Sequence, residues 1–354
     1  MMAIFSSEAV TPGHPDKLCD RISDAILDAC LEQDPKSRVA CEVMATRDTL
    51  LIGGEITTSA DVDLENVARK VIENTGYKDK WEYSPEVLTR VSRQSPDIAM
   101  GTNASLGLDQ GAGDQGLMFG YATNTPDALH PAHSLAVKLA RGLYDLHLRF
   151  PDLYGPDGKT QVSMNDDGEV TTIVASLLHS PEIPPNDIET AILRAFQGVS
   201  HLSPTSKVLI NPSGRFTIGG PAADTGLTGR KIIADTYGGA ARHGGGAFSG
   251  KDASKVDRSA AYLARSIARD LVANDVMNTC EIQLAYAIGK PEPVSFSVSG
   301  DGDIQAATER YKDFDFRPAA TIERFGLTKP IFEKTAMFGH FVDNFPWESE
   351  LEGL

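Results

Sequence analysis

The chain has 354 residues, 41% of them hydrophobic, so it is long enough for two or three domains with buried cores. Its formal net charge is −16 and it contains no run of lysine and arginine residues, which argues against nucleic acid as a partner. No apolar run approaches the roughly 18 residues of a membrane span and no signal peptide is recognisable, so we expect a cytoplasmic protein without a membrane partner.

The hydrophobic periodicity divides the chain into three successive rounds of similar elements. The first round is predicted to contain strands at 3–8, 38–45, 49–57 and 87–91, and helices at 18–29 and 63–74. The second is predicted to contain a strand at 117–123, a hairpin at 160–178, a strand at 207–211, and helices at 133–149 and 186–196. The third is predicted to contain a strand at 231–236, a hairpin at 280–298, and helices at 255–272 and 303–312.

These rounds begin near residues 3, 117 and 231, at two equal offsets of 114 residues. Such a repeat predicts an α+β protein with three similar β-α-β-β-α-β units, each a sheet covered on one face by helices, around a pseudo-threefold axis. Along the chain, the expected domains are 1–100, 101–219 and 220–354. The glycine-containing segment 96–113 is predicted to be a lid, and the acidic tail from Glu348 onward is expected to fray.

The most informative stretch runs from 237 to 269 and reads YGGAARHGGGAFSGKDASKVDRSAAYLARSIAR. Its glycines offer bare backbone N–H groups beside Lys251 and Lys255, a combination typical of a polyphosphate site. Residues 245–252 match a Walker A loop except that Asp252 replaces the hydroxyl residue that would hold Mg²⁺. Ser254 and Asp257 are predicted to start the next helix as a capping box. The alternative is that the glycines merely form a tight surface loop.

Further polar motifs interrupt the hydrophobic pattern: GHPDK at 13–17, GAGDQG at 111–116, PDGK at 156–159, INPSGRF at 210–216 and LTGRK at 227–231. Together with the glycine-rich stretch they closely resemble the S-adenosylmethionine synthetase (methionine adenosyltransferase) family, colinearly from about residue 5 to 347. The resemblance implies a homodimer or a tetramer of paired subunits with active sites at the subunit interface. It also implies attack of the methionine sulfur on C5′ of ATP, with hydrolysis of the released triphosphate to diphosphate and phosphate.

Because a thioether has no proton to lose, this reaction needs positioning and charge stabilisation rather than a general base. The residues predicted to be catalytic are polar groups of the motifs: His14, Lys159, Arg230, Lys231, Lys251 and Lys255. His14 is expected to donate a hydrogen bond to the oxygen between C5′ and the triphosphate. The predicted ATP-binding residues are the same groups without Lys255, together with Asp114, Asp157, Arg215, Phe216, Asp224 and Ala247.

The resemblance also implies the methionine and metal sites. The predicted methionine-binding residues are Glu55, Gln94, Asp224 and Lys255. Asp16 and Asp257 are expected to hold Mg²⁺, two ions per site, and Glu42 matches the family's K⁺ ligand. Without the resemblance, Glu42 and Glu55 are ordinary solvated strand residues.

The sequence departs from the family pattern at Met100, at His130 and at Leu177–Leu178, which bear on the lid and on nucleotide contacts. Two other classes of protein remain alternatives. A P-loop kinase or ATPase would need a hydroxyl residue after Lys251, where this chain has Asp252. A non-catalytic regulatory subunit would have lost phosphate ligands, and all of them are present here.

Overall fold

Three β-sheets and seven α-helices form the described part of the protein, a computed structural model that describes residues 3–93, 111–197 and 202–351. The strands are β1 Ile4–Val10, β2 Arg38–Ala45, β3 Thr49–Thr57, β4 Glu86–Ser92, β5 Gly116–Thr123, β6 Tyr154–Asn165, β7 Val170–His179, β8 Leu202–Ile210, β9 Gly226–Leu227, β10 Thr279–Tyr286 and β11 Ser295–Gly300. The helices are α1 Pro15–Gln33, α2 Leu64–Thr75, α3 Pro131–Arg149, α4 Pro185–Ala195, α5 Val256–Ala273, α6 Ile304–Arg310 and α7 Pro318–Phe325. The predicted α+β class is confirmed.

Each sheet is completed by a strand from a different round of the repeat. The sheet orders are β9-β2-β3-β4, β1-β6-β7-β8 and β5-β10-β11. Strand β1, from round one, therefore joins the sheet of round two. Strand β5, from round two, joins the sheet of round three, and β9, from round three, joins the sheet of round one. In the first two sheets the central hairpin is antiparallel and the closing strand is parallel. The domain ranges 1–100, 101–219 and 220–354 stay a prediction. Each sheet combines strands from two of these ranges.

The helices cover one face of each sheet. Helix α1 packs on β2 and on α2, α3 packs on β1 and β6, and α5 packs on β5 and β10. Along β2 the side chains alternate between buried and more exposed positions, as expected for a sheet with one covered face. The opposite faces of the sheets therefore carry the more exposed strand residues.

The predicted strand at 231–236 is wrong, since these residues form consecutive turns. The amide of Asp235 donates to the carbonyl of Lys231 at 2.8 Å, and the hydroxyl of Thr236 donates to the carbonyl of Ile232 at 2.8 Å. These local hydrogen bonds replace the ladder of a strand. The short strand β9 takes its place in the topology, and in the described part of round three α6 is followed by α7 rather than by a closing strand.

The acidic tail does not fray at Glu348, contrary to the prediction. Its carboxylate accepts from Nε and Nη2 of the buried Arg265 at 2.8 and 2.9 Å and also pairs with Arg269. The preceding Trp347 is fully buried and stacks on Tyr262 with ring centroids 3.6 Å apart. The tail is thus fixed to α5 as far as Glu348, by ion pairs and by an aromatic stack.

The predicted lid at 96–113 falls outside the described residues except for 111–113, and Gln94 and Met100 fall outside them as well. Across the described ranges, every helix is too short or too polar to cross a membrane.

Helices α1 and α5 are joined by a fully buried ion pair between Asp24 and Arg258. The two Nη atoms of Arg258 donate to the two carboxylate oxygens at 2.6 and 3.0 Å, and both side chains are 0% exposed. Nη1 of Arg258 also donates to the carbonyls of Phe248 and Lys251 at 3.1 Å each, and the amide of Gly250 donates to Asp24 at 2.8 Å. One ion pair therefore fixes the glycine-rich loop to both helices.

We predict that Arg258→Met lowers the free energy of unfolding by about 3–5 kcal/mol, because it leaves the Asp24 carboxylate buried without its partner. The matched control is Arg141→Met, since Arg141 also pairs with a carboxylate and lies over a phenylalanine ring, but is 36% exposed. The control should cost less than about 1 kcal/mol. Chemical denaturation of both variants measures the difference, and equal losses would contradict the role given to the buried pair.

Candidate active site

The first cluster of site residues is built on the N-terminus of α1. His14 is its N-cap, and the backbone amide of Asp16 donates to Nδ1 of His14 at 3.2 Å. Since Nδ1 accepts, the neutral ring carries its proton on Nε2. Burial, followed by the positive charge of Lys231, lowers the pKa of His14 from 6.5 to about 3. His14 is therefore a neutral hydrogen-bond donor at physiological pH.

Asp16 connects this helix to the LTGRK motif. Its carboxylate is 1% exposed and accepts from Nζ of Lys231 at 2.6 Å and from the amide of Leu227 at 3.0 Å. Nε of Arg230 lies 3.6 Å from the same carboxylate. The structure thus brings Asp16 together with Arg230 and Lys231, two predicted residues that lie more than 200 positions further along the sequence.

A buried lysine, which the sequence analysis did not assign to the site, holds the turns at 231–236 against α1. Nζ of Lys17 donates to Asp20 at 3.1 Å and to Asp235 at 2.5 Å, and its side chain is 0% exposed. Asp20 in turn accepts from the amide of Gly229 at 2.8 Å. Burial raises the pKa of Asp20 to about 7, while Lys17 opposes that rise. A charged lysine inside the GHPDK motif is a signal for such a network, but its partner Asp235 is not recognisable from local sequence.

The PDGK motif lies beside this cluster. Asp157 is buried, accepts from the amide of Gly220 at 2.7 Å and has its pKa raised to about 7, first by burial and then by the nearby Asp224 and Asp16. Lys159 pairs with Glu8 at 2.7 Å. Its charge also lowers the pKa of His14, so both motif residues face the first cluster.

The nucleotide residues predicted at 215 and 216 lie on a loop after β8. The amide of Phe216 donates to Nε2 of His179 at 3.2 Å, and Nε of Arg215 donates to the hydroxyl of Thr217 at 2.9 Å. His179 ends β7. The loop is thereby fastened to the C-terminal end of β7, an inner strand of the β1-β6-β7-β8 sheet, while Arg215 stays exposed.

The second cluster is formed by the glycine-rich loop and the start of α5. Nζ of Lys251 is 2.7 Å from the carboxylate of Asp257. A Cβ atom at Gly246 would collide with this carboxylate, so the loop passes directly over it. The GAGDQG motif reaches the same place, since the amide of Gly113 donates to the carbonyl of Ser254 at 3.2 Å. Asp114 is exposed there, and its carboxylate accepts from the next amide in the chain.

Four of the eight amides at 245–252 already have protein partners, which corrects the expectation of bare N–H groups at those four positions. The amide of Gly245 donates to Nδ1 of His243 at 2.8 Å, and that of Gly250 donates to Asp24. The amide of Lys251 donates to the carbonyl of Phe248 at 3.2 Å. The amides of Gly245 and of residues 250–252 are therefore not free for a phosphate, unlike the successive amides of a Walker A loop.

Asp252 explains why the Walker A match fails at its last position. Its buried carboxylate pairs with Lys255 and accepts from the amide of Val39 at 2.8 Å, while its own amide donates to the carbonyl of Val39 at 3.0 Å. Asp252 thus fastens the loop to β2. The predicted capping box is wrong for the same reason: the amide of Ser254 donates to Asp252, and the N-cap is Lys255 without a side-chain cap.

Glu42 and Glu55 lie on the uncovered face of the β9-β2-β3-β4 sheet, and both are exposed. Ala40 is in register with Glu55 on one side and with Lys251 on the other. Side chains in register point to the same face, so Glu55 and Lys251 lie on that face about 10 Å apart, two strand spacings. Glu42 follows two residues after Ala40 on the same face, beside the second cluster.

The two clusters are distinct in this chain. The described contacts of Asp16 are with Arg230, Lys231, Leu227 and His14, whereas those of Asp257 are with Lys251 and the glycine loop. Within the described ranges, there is no group of three or more His, Cys, Asp or Glu side chains that could hold a metal ion by itself. Each cluster thus contributes one predicted Mg²⁺ carboxylate together with at least one lysine.

Three models of known protein families match the chain. They are the N-terminal domain of S-adenosylmethionine synthetase at residues 2–96, the central domain at 109–216 and the C-terminal domain at 218–349. A protein named S-adenosylmethionine synthase from Sorangium cellulosum is 49% identical, over 97% of this chain and 87% of its own length. One of the same name from Clostridium tetani is 48% identical, over 99% of this chain and 97% of its own length.

Proposed function

The chain belongs to the S-adenosylmethionine synthetase family, and we propose that the two clusters are the two halves of its active site, joined across a subunit interface. It is a methionine adenosyltransferase, which forms S-adenosyl-L-methionine from ATP and L-methionine by attack of the sulfur on C5′ of ATP and then hydrolyses the triphosphate to diphosphate and phosphate. The observation that carries the proposal is that the two predicted Mg²⁺ carboxylates pair with different lysines, Asp16 with Lys231 and Asp257 with Lys251.

The first cluster is suited to bind and stabilise the leaving triphosphate. Arg230 and Lys231 lie together beside Asp16, and Lys159 faces His14. As the S–C5′ bond forms and the C5′–O bond breaks, negative charge develops on the triphosphate oxygen, and these cations stabilise it. His14 donates its Nε2–H to that oxygen, which its neutral tautomer permits.

The second cluster supplies the remaining triphosphate contacts from the other subunit. Lys251 is 24% exposed, so its ammonium group can reach a ligand in front of the loop. Ala247 and Asp114 lie in the loop and in the GAGDQG motif beside it, and we assign them to the nucleotide. The adenosine is bound by Asp157 beside the first cluster, by Asp224 next to the Gly220 turn, and by Arg215 and Phe216 on the loop after β8, with the Phe216 ring stacked on adenine.

Methionine binds where the two halves meet. Glu55 takes its ammonium group, Lys255 takes its carboxylate, and Asp224 faces the positive sulfonium. Glu55 shares the uncovered sheet face with Lys251, which places it near the second cluster. Gln94 belongs to the same proposed set but lies outside the described residues.

The residues present fit Mg²⁺ and offer less for K⁺. Asp16 and Asp257 each have one carboxylate with spare acceptor capacity, and Mg²⁺ is commonly held by one or two carboxylates together with waters and substrate phosphates. When bound, Mg²⁺ neutralises charge on the phosphate oxygens. Glu42 on the exposed sheet face provides a single oxygen ligand for K⁺, so the other ligands must come from backbone, water or a second subunit.

The uncovered sheet faces support a homodimer, or a tetramer of such dimers. Met44 on β2 is 40% exposed and Leu117 on β5 is 43% exposed, both on strands that carry or adjoin the proposed site. Apolar residues exposed on such faces are typical of subunit interfaces. A dimer formed through these faces would bring Glu42 and Glu55 close to the partner's residues.

Incubation with ATP, L-methionine, Mg²⁺ and K⁺ tests the activity through formation of the sulfonium product. ATP binding without turnover would support the non-catalytic subunit instead. ATP hydrolysis that neither requires methionine nor forms the sulfonium product would support a P-loop ATPase.

We predict that Lys251→Met lowers kcat by roughly 10² or more, the scale of one preorganised electrostatic contact. The melting temperature should change little, because the Lys251–Asp257 pair is partly exposed. Lys312→Met is the control, since Lys312 forms an exposed pair with Glu309 on α6, and it should leave kcat unchanged. Near-normal turnover in Lys251→Met would contradict the assignment.

A complementation experiment tests whether the site is shared. Asp16→Asn and Lys251→Met chains with different tags are co-expressed, and the mixed dimer is purified through both tags. If each site takes one cluster from each subunit, one of the two sites in the mixed dimer is intact, and about half of the wild-type kcat should return. Activity no higher than that of the two parent variants would place both clusters of a site in one subunit.

We predict that single-turnover formation of the sulfonium stays nearly flat from about pH 6 to 8 with saturating ATP, Mg²⁺ and methionine, since no proton leaves the nucleophile. His14 keeps its charge state in this window, because burial lowers its pKa to about 3 and it is neutral throughout. A rate that rises tenfold per pH unit, and that becomes flat in His14→Asn, would show that His14 acts as a base.

A further inference from the structure

Tyr77 lies between two loops of the first cluster. It follows Gly76, the C-cap of α2, and its side chain is buried. Its hydroxyl donates to the carbonyl of Gly13, the residue directly before His14. Gly13 is fixed on its other side by Pro156, because a Cβ atom at Gly13 would lie 2.5 Å from the carbonyl carbon of Pro156. The backbone that leads into His14 is therefore held between a tyrosine and the PDGK motif.

The same ring also contacts the turn that holds Asp157. Gly220 has a φ of +62°, and a Cβ atom there would collide with the Tyr77 hydroxyl and ring. The amide of Gly220 donates to the Asp157 carboxylate at 2.7 Å. Tyr77 is thus in contact with the backbone before His14 and with the glycine that positions Asp157.

We propose that Tyr77 is a positioning residue for the reaction, which holds the His14 loop and the Gly220 turn at a fixed separation through its hydroxyl and ring. This inference rests on the proposed function of the first cluster. Tyr77 touches neither substrate nor metal in that arrangement and acts through His14. Burial keeps the pKa of Tyr77 well above its usual value, so its hydroxyl remains a donor at every working pH.

The Tyr77→Phe variant keeps the ring and removes only the hydroxyl. The carbonyl of Gly13 then loses its buried donor, and the His14 loop gains freedom to move. Because a small misplacement of a catalytic group acts on the transition state, kcat should fall about tenfold. The KM values for ATP and methionine should change less than about threefold, because the ring that remains still packs against Gly220 and keeps Asp157 in place.

Tyr83→Phe is the matched control. Tyr83 packs against Tyr77 with ring centroids 6.1 Å apart, and its hydroxyl also donates to a backbone carbonyl, that of Thr46, at 2.8 Å. Both variants lose one hydrogen bond to a carbonyl, so their melting temperatures should fall by similar amounts. A purely structural role predicts equal kcat values for the two variants, and that result would overturn the proposal.

A double-mutant cycle with His14→Asn tests the route of the effect. If Tyr77 acts through His14, Tyr77→Phe should change kcat less than about twofold in the His14→Asn background. A full tenfold loss in that background would show that Tyr77 acts elsewhere, and would refute the proposal.

Hydrogen exchange of the backbone amides of Gly13, His14 and Asp16 provides a readout that does not depend on activity. Exchange there should accelerate in Tyr77→Phe and not in Tyr83→Phe. Wild-type enzyme is assayed for the sulfonium product in the same series. Absence of product from the wild type would reject the proposed function, whereas unchanged exchange in Tyr77→Phe would reject the positioning role alone.

Discussion

The buried pair between Asp24 and Arg258 is the interaction on which both clusters depend. It joins α1, whose N-terminus carries His14 and Asp16, to α5, whose first turn carries Asp257. Removing two charges from water is costly unless hydrogen bonds and close geometry offset the loss. Here the arginine also donates to two carbonyls of the glycine-rich loop, so the same cation orders a segment that has little regular structure.

In both clusters the negative charge of a carboxylate is balanced by the positive charge of a lysine. Before substrate binds, Asp16 is paired with Lys231 and Asp257 with Lys251, so neither half carries a large unbalanced charge. A triphosphate would compete for the lysines, and each carboxylate would then be available to a metal ion. The exchange of partners keeps the local charge nearly balanced at each stage, which limits the reorganisation that binding requires. In the proposed site, a protein with a net charge of −16 would therefore bind a polyanion at these two places.

Local patterns predicted the hairpins and the long helices, because periodicity and turn residues act over a few positions. The failures have a common cause in distant partners. The strand predicted at 231–236 is replaced by turns beside the Lys17–Asp235 pair, whose members are 218 residues apart. The capping box at Ser254 failed because Asp252 takes its amide, and Asp252 is itself oriented by Val39. The cyclic exchange of first strands between sheets could not be predicted from spacing, and the roles of Glu42 and Glu55 came only from the family resemblance.

Residues 245–252 match the Walker A pattern at all but the last position, but they do not make the contacts of a P-loop. In a P-loop, successive amides point at phosphates and a hydroxyl holds the metal. In this chain the amides of Gly250, Lys251 and Asp252 donate to Asp24, Phe248 and Val39, and the Asp252 carboxylate is buried against β2. Gly246 and Gly250 therefore serve close packing against Asp257 and β2, and in the proposed site the anion is bound by Lys251 and by the cations of the other cluster. With these amides already paired, the proposed site relies on the cationic side chains of both clusters, which is a physical reason to expect that it forms between two subunits.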